Sequence, residues 1–73
     1  MKQTNMDPKL IVGANLKRAI KASIFRTQEK FAEEFCTDVR NVSRWCNEGI
    51  DSIDTVWKIA AFLNISVSTL LPL

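Results

Sequence analysis

The stretch TQEKFAEEFCTDVRNVSRW, residues 27–45, contains two helix openings in close succession. Thr27 suits an N-cap, and Glu29 then falls in the first turn, where the helix dipole favours a negative charge. Asp38 is a second good N-cap acceptor, so the helix begun at about residue 28 must end near residue 35, and another runs from about residue 39 to 46. The earlier helix is expected to bury Phe31, Ala32 and Phe35. The later one turns Val42 and Trp45 inward at i and i+3 and leaves Arg40, Asn41, Ser43 and Arg44 on its other faces. Two short helices, a three- or four-residue turn and a polar, basic outer face describe a helix-turn-helix unit. Small helical proteins reuse this geometry without touching DNA, so spacing alone leaves the function open.

Upstream, Val12, Leu16, Ala19, Ile20 and Ser23 follow three- and four-residue spacing with Lys17, Arg18 and Lys21 turned away, the pattern of an amphipathic helix. Residues 1–8 are polar and end in Asp7-Pro8, so they read as a flexible N-terminal arm, with the folded domain spanning residues 9–73. Downstream, Asn47-Glu48-Gly49 is a natural stop. Ser52 then caps a fourth helix with the apolar stripe Ile53, Val56, Ile59, Ala60 and Leu63. Asn64 suits a left-handed C′ position, Ser66 caps a last short helix through Val67, Leu70 and Leu71, and Pro72 ends it. The expected fold is all-α with five helices and no competing strand.

Seventy-three residues make one small domain, and 47% hydrophobic with 25% charged residues is an ordinary globular composition. Such a chain buries only about 60% of the surface it exposes when unfolded, so close packing must stabilise it. No apolar run approaches the roughly 18 residues that span a bilayer, and the start MKQTNMDPK lacks a signal's apolar stretch, so a cytoplasmic protein without membrane contact is expected. Cys36 and Cys46 give no disulfide framework and are expected to be inert, mostly buried thiols. The lack of histidine leaves too few ligands for structural zinc and removes the commonest general base. With no Ser-x-x-Lys pair, phosphate-cradling glycine loop or carboxylate cluster, the chain reads as a non-enzyme needing neither metal nor cofactor. It also lacks room for an effector domain, so no small-molecule ligand is expected.

The net charge of +2 conceals a gradient: residues 1–30 hold seven Lys or Arg against two acids, and residues 31–73 three against six. A basic end fits a polyanionic partner or a solvated face.

The motifs VGANLKRAI (12–20), TQEKFAEEF (27–35), DVRNVSRW (38–45) and SIDTVWKIAAFLNISVSTLL (52–71), in that order and spacing, resemble the Xre/Cro-type helix-turn-helix family of phage-repressor-like regulators. The likeness covers residues 12–71. It implies a compact, lambda-repressor-like five-helix bundle whose third helix enters the major groove of double-stranded DNA, usually as a homodimer on a two-fold symmetric operator. The function implied is sequence-specific transcription regulation, as a repressor of a phage or mobile element that blocks polymerase.

Arg40 and Arg44 lie at i and i+4 on one face, with Val39 and Asn41 near the N-terminal end that points deepest into the groove. These four are the expected base readers. Arg donates twice to guanine O6 and N7, Asn pairs with adenine N6 and N7, and Val packs on a thymine methyl. The resemblance further implies phosphate contacts from Gln28 and Asn47, and Thr27, Lys30 and Ser43 are added as weaker phosphate-binding positions. Three departures stand out. Cys36 occupies a turn position that is commonly glycine in the family, at a cost of about 1 kcal/mol if φ is positive. Ile20 and Cys46 stand where members often pair Arg with Glu. An apolar pair can replace a buried ion pair, so these two are expected to touch. The loop of residues 48–51 is acidic where many relatives are basic, which weakens the case for phosphate contacts there.

Trp57, Ala61, Phe62, Leu71 and Leu73 exceed the apolar surface that a small bundle needs to bury, and form the expected dimer interface. The alternative from another class is a protein-interaction module, antitoxin-like or adaptor, that uses the same apolar C-terminal surface.

Overall fold

The computed structural model describes residues 7–72, which form α1 (Pro8–Ala22), α2 (Gln28–Glu34), α3 (Val39–Glu48), α4 (Ile53–Leu63) and α5 (Val67–Leu70). Residues 1–6 of the expected arm, and Leu73, lie outside the described residues. Among the described residues no strand is present and no helix is long and apolar enough to cross a membrane.

Every helix opens on a side-chain cap. Asp7 Oδ1 accepts from Lys9 N at 2.9 Å, Thr27 Oγ1 from Lys30 N at 3.1 Å, Asp38 Oδ1 from Arg40 N at 2.9 Å, Ser52 Oγ from Thr55 N at 3.4 Å, and Ser66 Oγ from Ser68 N at 3.2 Å. The Asp7 cap with Pro8 at the first helical position starts α1 one residue before Lys9. At the other end α3 continues to Glu48, two residues beyond the expected stop, and Gly49 ends it at φ 96°.

Leu16 and Ile20 of α1, Phe31 of α2, Val42 of α3, Ile59 of α4 and Leu70 of α5 are fully buried, so all five helices share one core. Four phenylalanines extend it: Phe31 and Phe35 stack at 5.2 Å between centroids, Phe25 stacks on Phe62 at 5.3 Å, and Phe62 meets Phe35 edge-on at 5.1 Å. Ile20 and Cys46 belong to this core, 1% and 6% exposed, so neither side chain lies in solvent. Burial raises the Cys46 thiol pKa.

Two glycines allow close backbone approaches. A Cβ on Gly13 would lie 2.6 Å from the Cys46 carbonyl oxygen and 2.7 Å from that of Trp45, so its absence lets α1 rest directly on α3. A Cβ on Gly49 would meet the Lys9 carbonyl more closely still, and the Asp51 carboxylate accepts a hydrogen bond from the Lys9 ammonium. The acidic loop thus turns one of its charges toward the start of α1. Asn15 Nδ2 donates to the Leu70 carbonyl at 3.0 Å and ties α5 to α1.

Ile53 departs from its expected place in the buried stripe of α4, being 62% exposed. It opens the helix and shares a face with Trp57 and Ala61, four and eight residues on, both exposed. The inner stripe is Val56, Ile59, Ala60 and Leu63.

Candidate nucleic-acid interface

The turn that sets α3 against α2 is built on Cys36, whose φ is 61°. Cys36 N donates to the Glu33 carbonyl at 3.2 Å and Thr37 N to the Ala32 carbonyl at 2.9 Å, the paired bonds of a Schellman ending. The turn therefore keeps the shape glycine would give it, and carries a left-handed cost of about 1–2 kcal/mol. This geometry also overturns the expected burial of both thiols. Cys36 is exposed because the left-handed residue lies outside the packed helix face, and only Cys46 is buried.

The inner side of α3 is locked. Val42 is fully buried, Ala32 is 2% exposed, and the Trp45 ring meets Phe35 edge-on at 6.2 Å. Trp45 is half-buried, so it seals the margin of the core. With that side fixed, the remaining residues of α3 have defined directions.

Arg40 and Arg44 are exposed, as is Val39, while Asn41 and Ser43 are half-buried between them. Arg40 Nη2 donates to Asp38 Oδ2 at 3.2 Å, and Arg44 Nη2 donates to Asn41 Oδ1 at 3.3 Å. Asn41 Nδ2 donates to Thr37 Oγ1 at 3.2 Å. Farther along, Asn47 Nδ2 donates to Ser43 Oγ at 3.3 Å, one turn earlier on the same helix. The backbone N–H and guanidinium of Arg40 lower the Asp38 carboxyl pKa, and Asp38 in turn raises that of Arg40.

Beside α3 lies a groove of about 610 Å³. Its walls come from the last turns of α1 (Lys17, Ile20, Lys21), the α1–α2 connection (Arg26, Thr27), the start of α2 (Gln28, Glu29) and the start of α3 (Val39, Arg40, Ser43). The groove thus gathers Thr27, Gln28 and Ser43 with two of the expected base readers. It also presents three cations to which the sequence reading gave no role: Lys17, Lys21 and Arg26. Lys17 and Lys21 stand at i and i+4, so a shared face was legible, as was the basic excess of residues 1–30. What lay beyond reach was that α1 ends beside α2 and that Arg26 adopts φ 68°. Lys30 lies apart, its ammonium 3.4 Å from both Glu33 Oε1 and Glu34 Oε2, which raise its pKa. Asn47 and Arg44 also lie outside the groove's lining.

The expected dimer residues do not share one environment. Trp57 is 61% exposed and Ala61 exposed, Leu71 is half-buried against the core, and Phe62 closes the aromatic cluster with 39% of its surface still in solvent. Among the described residues, no three His, Cys, Asp or Glu side chains gather where they could hold a metal ion.

Comparison with known proteins adds one finding: a helix-turn-helix family model matches residues 26–70, covering the connection before α2 through the end of α5. No curated protein and no solved structure matches the chain. The match covers the α2–turn–α3 unit together with α4 and α5, and the chain belongs to the Xre/Cro-type helix-turn-helix family, whose members are DNA-binding transcription regulators and not typically enzymes.

Proposed function

We propose that this protein is a sequence-specific repressor that occupies a two-fold symmetric operator as a homodimer, with α3 in the major groove. The observation that carries the reading is the division of α3 into a core-locked side and a solvent side bearing Arg40 and Arg44. A rigid helix with exposed guanidiniums can enter a groove that admits one α-helix and donate to guanine O6 and N7. Val39, 36% exposed at the helix start, is suited to a thymine methyl, and Asn41 is the fourth residue on this surface.

Phosphates on either side would be held by Thr27, Gln28, Lys30, Ser43 and Asn47, to which the groove adds Lys17, Lys21 and Arg26. The Thr27 hydroxyl accepts the capping bond and still has a proton to donate. A single short helix reads few base pairs, so a second subunit about 34 Å along the duplex is the usual remedy. The exposed Ile53, Trp57 and Ala61 face of α4 supports a second copy of this chain as the occupant.

Titration of a fluorescent duplex tests the reading. Arg40→Ala or Arg44→Ala should cost about 1–3 kcal/mol on the operator alone, whereas Gln28→Ala should weaken operator and random DNA alike. If about 6 phosphates are neutralised, log K should fall against log salt with a slope near −5. Equal losses on both duplexes for the arginine variants, or a flat salt response, would overturn the proposal. A second reading, an adaptor that holds a partner protein, draws on the same exposed Trp57 face. A pure adaptor would leave its own promoter fragment unshifted.

A further inference from the structure

We infer that Asn41 is the positioning residue of Arg44, as Asp38 is of Arg40, so that α3 reads two guanines and no adenine. The inference rests on the DNA-binding reading above and deepens it to the bases recognised. From its residue type alone, Asn41 is expected to read adenine, which requires its carbonyl oxygen to accept from adenine N6 and its amide to donate to N7. Both groups already have partners. Oδ1 accepts from Arg44 Nη2 at 3.3 Å, and Nδ2 donates to Thr37 Oγ1 at 3.2 Å.

The chain of bonds starts at a fixed point. Thr37 sits in the turn with its backbone N–H bound to the Ala32 carbonyl, and it is half-buried, as is Asn41. Its hydroxyl therefore offers a stationary acceptor, which orients the Asn41 amide, which in turn presents a carbonyl to the arginine. Each atom keeps one further hydrogen-bonding capacity, but an amide bonded to residues four before and three after it lies along the helix, and turning its edge outward to adenine would give up these bonds and release Arg44. Arg44, in contrast, has five N–H donors and spends one on Asn41, leaving a pair for guanine. Asp38 does the same for Arg40 with a single carboxylate: Oδ1 caps the helix at 2.9 Å from Arg40 N, and Oδ2 holds Nη2 at 3.2 Å. A long side chain that is oriented before binding loses less freedom on docking.

The spacing limits the half-site. Four residues of helix advance about 6 Å and a base step about 3.4 Å, so the two guanines should fall within roughly two steps of each other.

The test is selection of bound duplexes from a random pool by the wild-type protein and by Thr37→Val, Asn41→Ala and Arg44→Ala, with each variant's melting temperature measured alongside. Wild type should enrich two guanines per half-site. Arg44→Ala should lose about 5- to 150-fold discrimination at one of them. Thr37→Val, which touches no base, and Asn41→Ala should each lower discrimination at that same guanine by about 2- to 10-fold and leave the other positions unchanged. A purely structural defect would weaken all positions together, and that result would overturn the inference. An enriched adenine whose preference vanishes in Asn41→Ala would also overturn it while leaving the DNA-binding reading intact. Failure of the wild-type protein to enrich any sequence would remove the reading on which both depend.

Discussion

Replacing Gly13 with alanine tests how α1 holds the recognition helix in place. In an isolated helix this change would stabilise by up to about 1 kcal/mol, because alanine loses less backbone freedom and is the better helix former. Here the new methyl would lie 2.6 Å from the Cys46 carbonyl oxygen and 2.7 Å from that of Trp45. Both are backbone atoms of α3, and the Trp45 carbonyl also accepts the bond from Gly49 N at 2.9 Å, so neither can swing aside as a side chain could. Overpacking costs about 1–3 kcal/mol, and a rigid backbone opposite places this site toward the upper end. The net expectation is a loss of about 1–2 kcal/mol, or roughly 5–15 °C in melting temperature for a domain of this size. That is a substantial fraction of the roughly 4–11 kcal/mol expected for a 73-residue chain. Thermal and urea unfolding followed by circular dichroism give the number directly. A Gly13→Ala protein as stable as wild type, or more so, would refute the close approach of α1 to α3.

Cys36→Gly should act in the opposite direction: it relieves a left-handed cost of about 1–2 kcal/mol and incurs roughly 0.5–1 kcal/mol of backbone entropy, so a gain of up to about 1.5 kcal/mol is expected in urea unfolding. In acid, the lowered Asp38 pKa makes its contribution fully present above the unfolded value near 4 and lost as pH falls through the folded value. Melting temperature against pH should therefore fall less steeply in acid for Asp38→Asn than for wild type, with the lowered Asp51 carboxyl preserving part of the slope. Trp57→Glu should leave the fold intact, since the ring is mostly exposed, yet convert a dimer to a monomer in sedimentation at tens of micromolar protein. An unchanged mass would remove α4 from the interface.

The elements were legible because every helix carries its own start signal. Thr27, Asp38, Ser52 and Ser66 each cap the helix they were expected to cap, and the stops at Gly49 and Asn64 follow from backbone chemistry. The inward positions of Val42 and Phe31 follow from period alone. Ile53 escaped because a residue that opens a helix fits an inner stripe at i+3 and an outer one at i+4 equally well, and only the tertiary contacts decide. Burial of Cys36 was misjudged for a different reason: composition favours buried thiols, whereas the left-handed turn that exposes this one is a property of the chain's path. Among the expected site residues, the exposure of Arg40 and Arg44 could be read from helical spacing. Their hydrogen-bonding partners could not, because Thr37, Asn41 and Arg44 meet through side-chain rotamers that no sequence pattern encodes. The basic groove was hidden for a related reason, since Lys17 and Lys21 join Arg26 and Gln28 only when α1 and α2 pack.

Chemical protection of guanine N7 on a selected duplex addresses most directly whether α3 lies in the major groove. Bound wild-type protein should shield N7 of two guanines in each half-site from methylation, and Arg44→Ala should restore reactivity at one of them while the other stays shielded. Guanines that remain fully reactive in a saturated complex would place the protein elsewhere on the duplex and contradict base reading by Arg40 and Arg44.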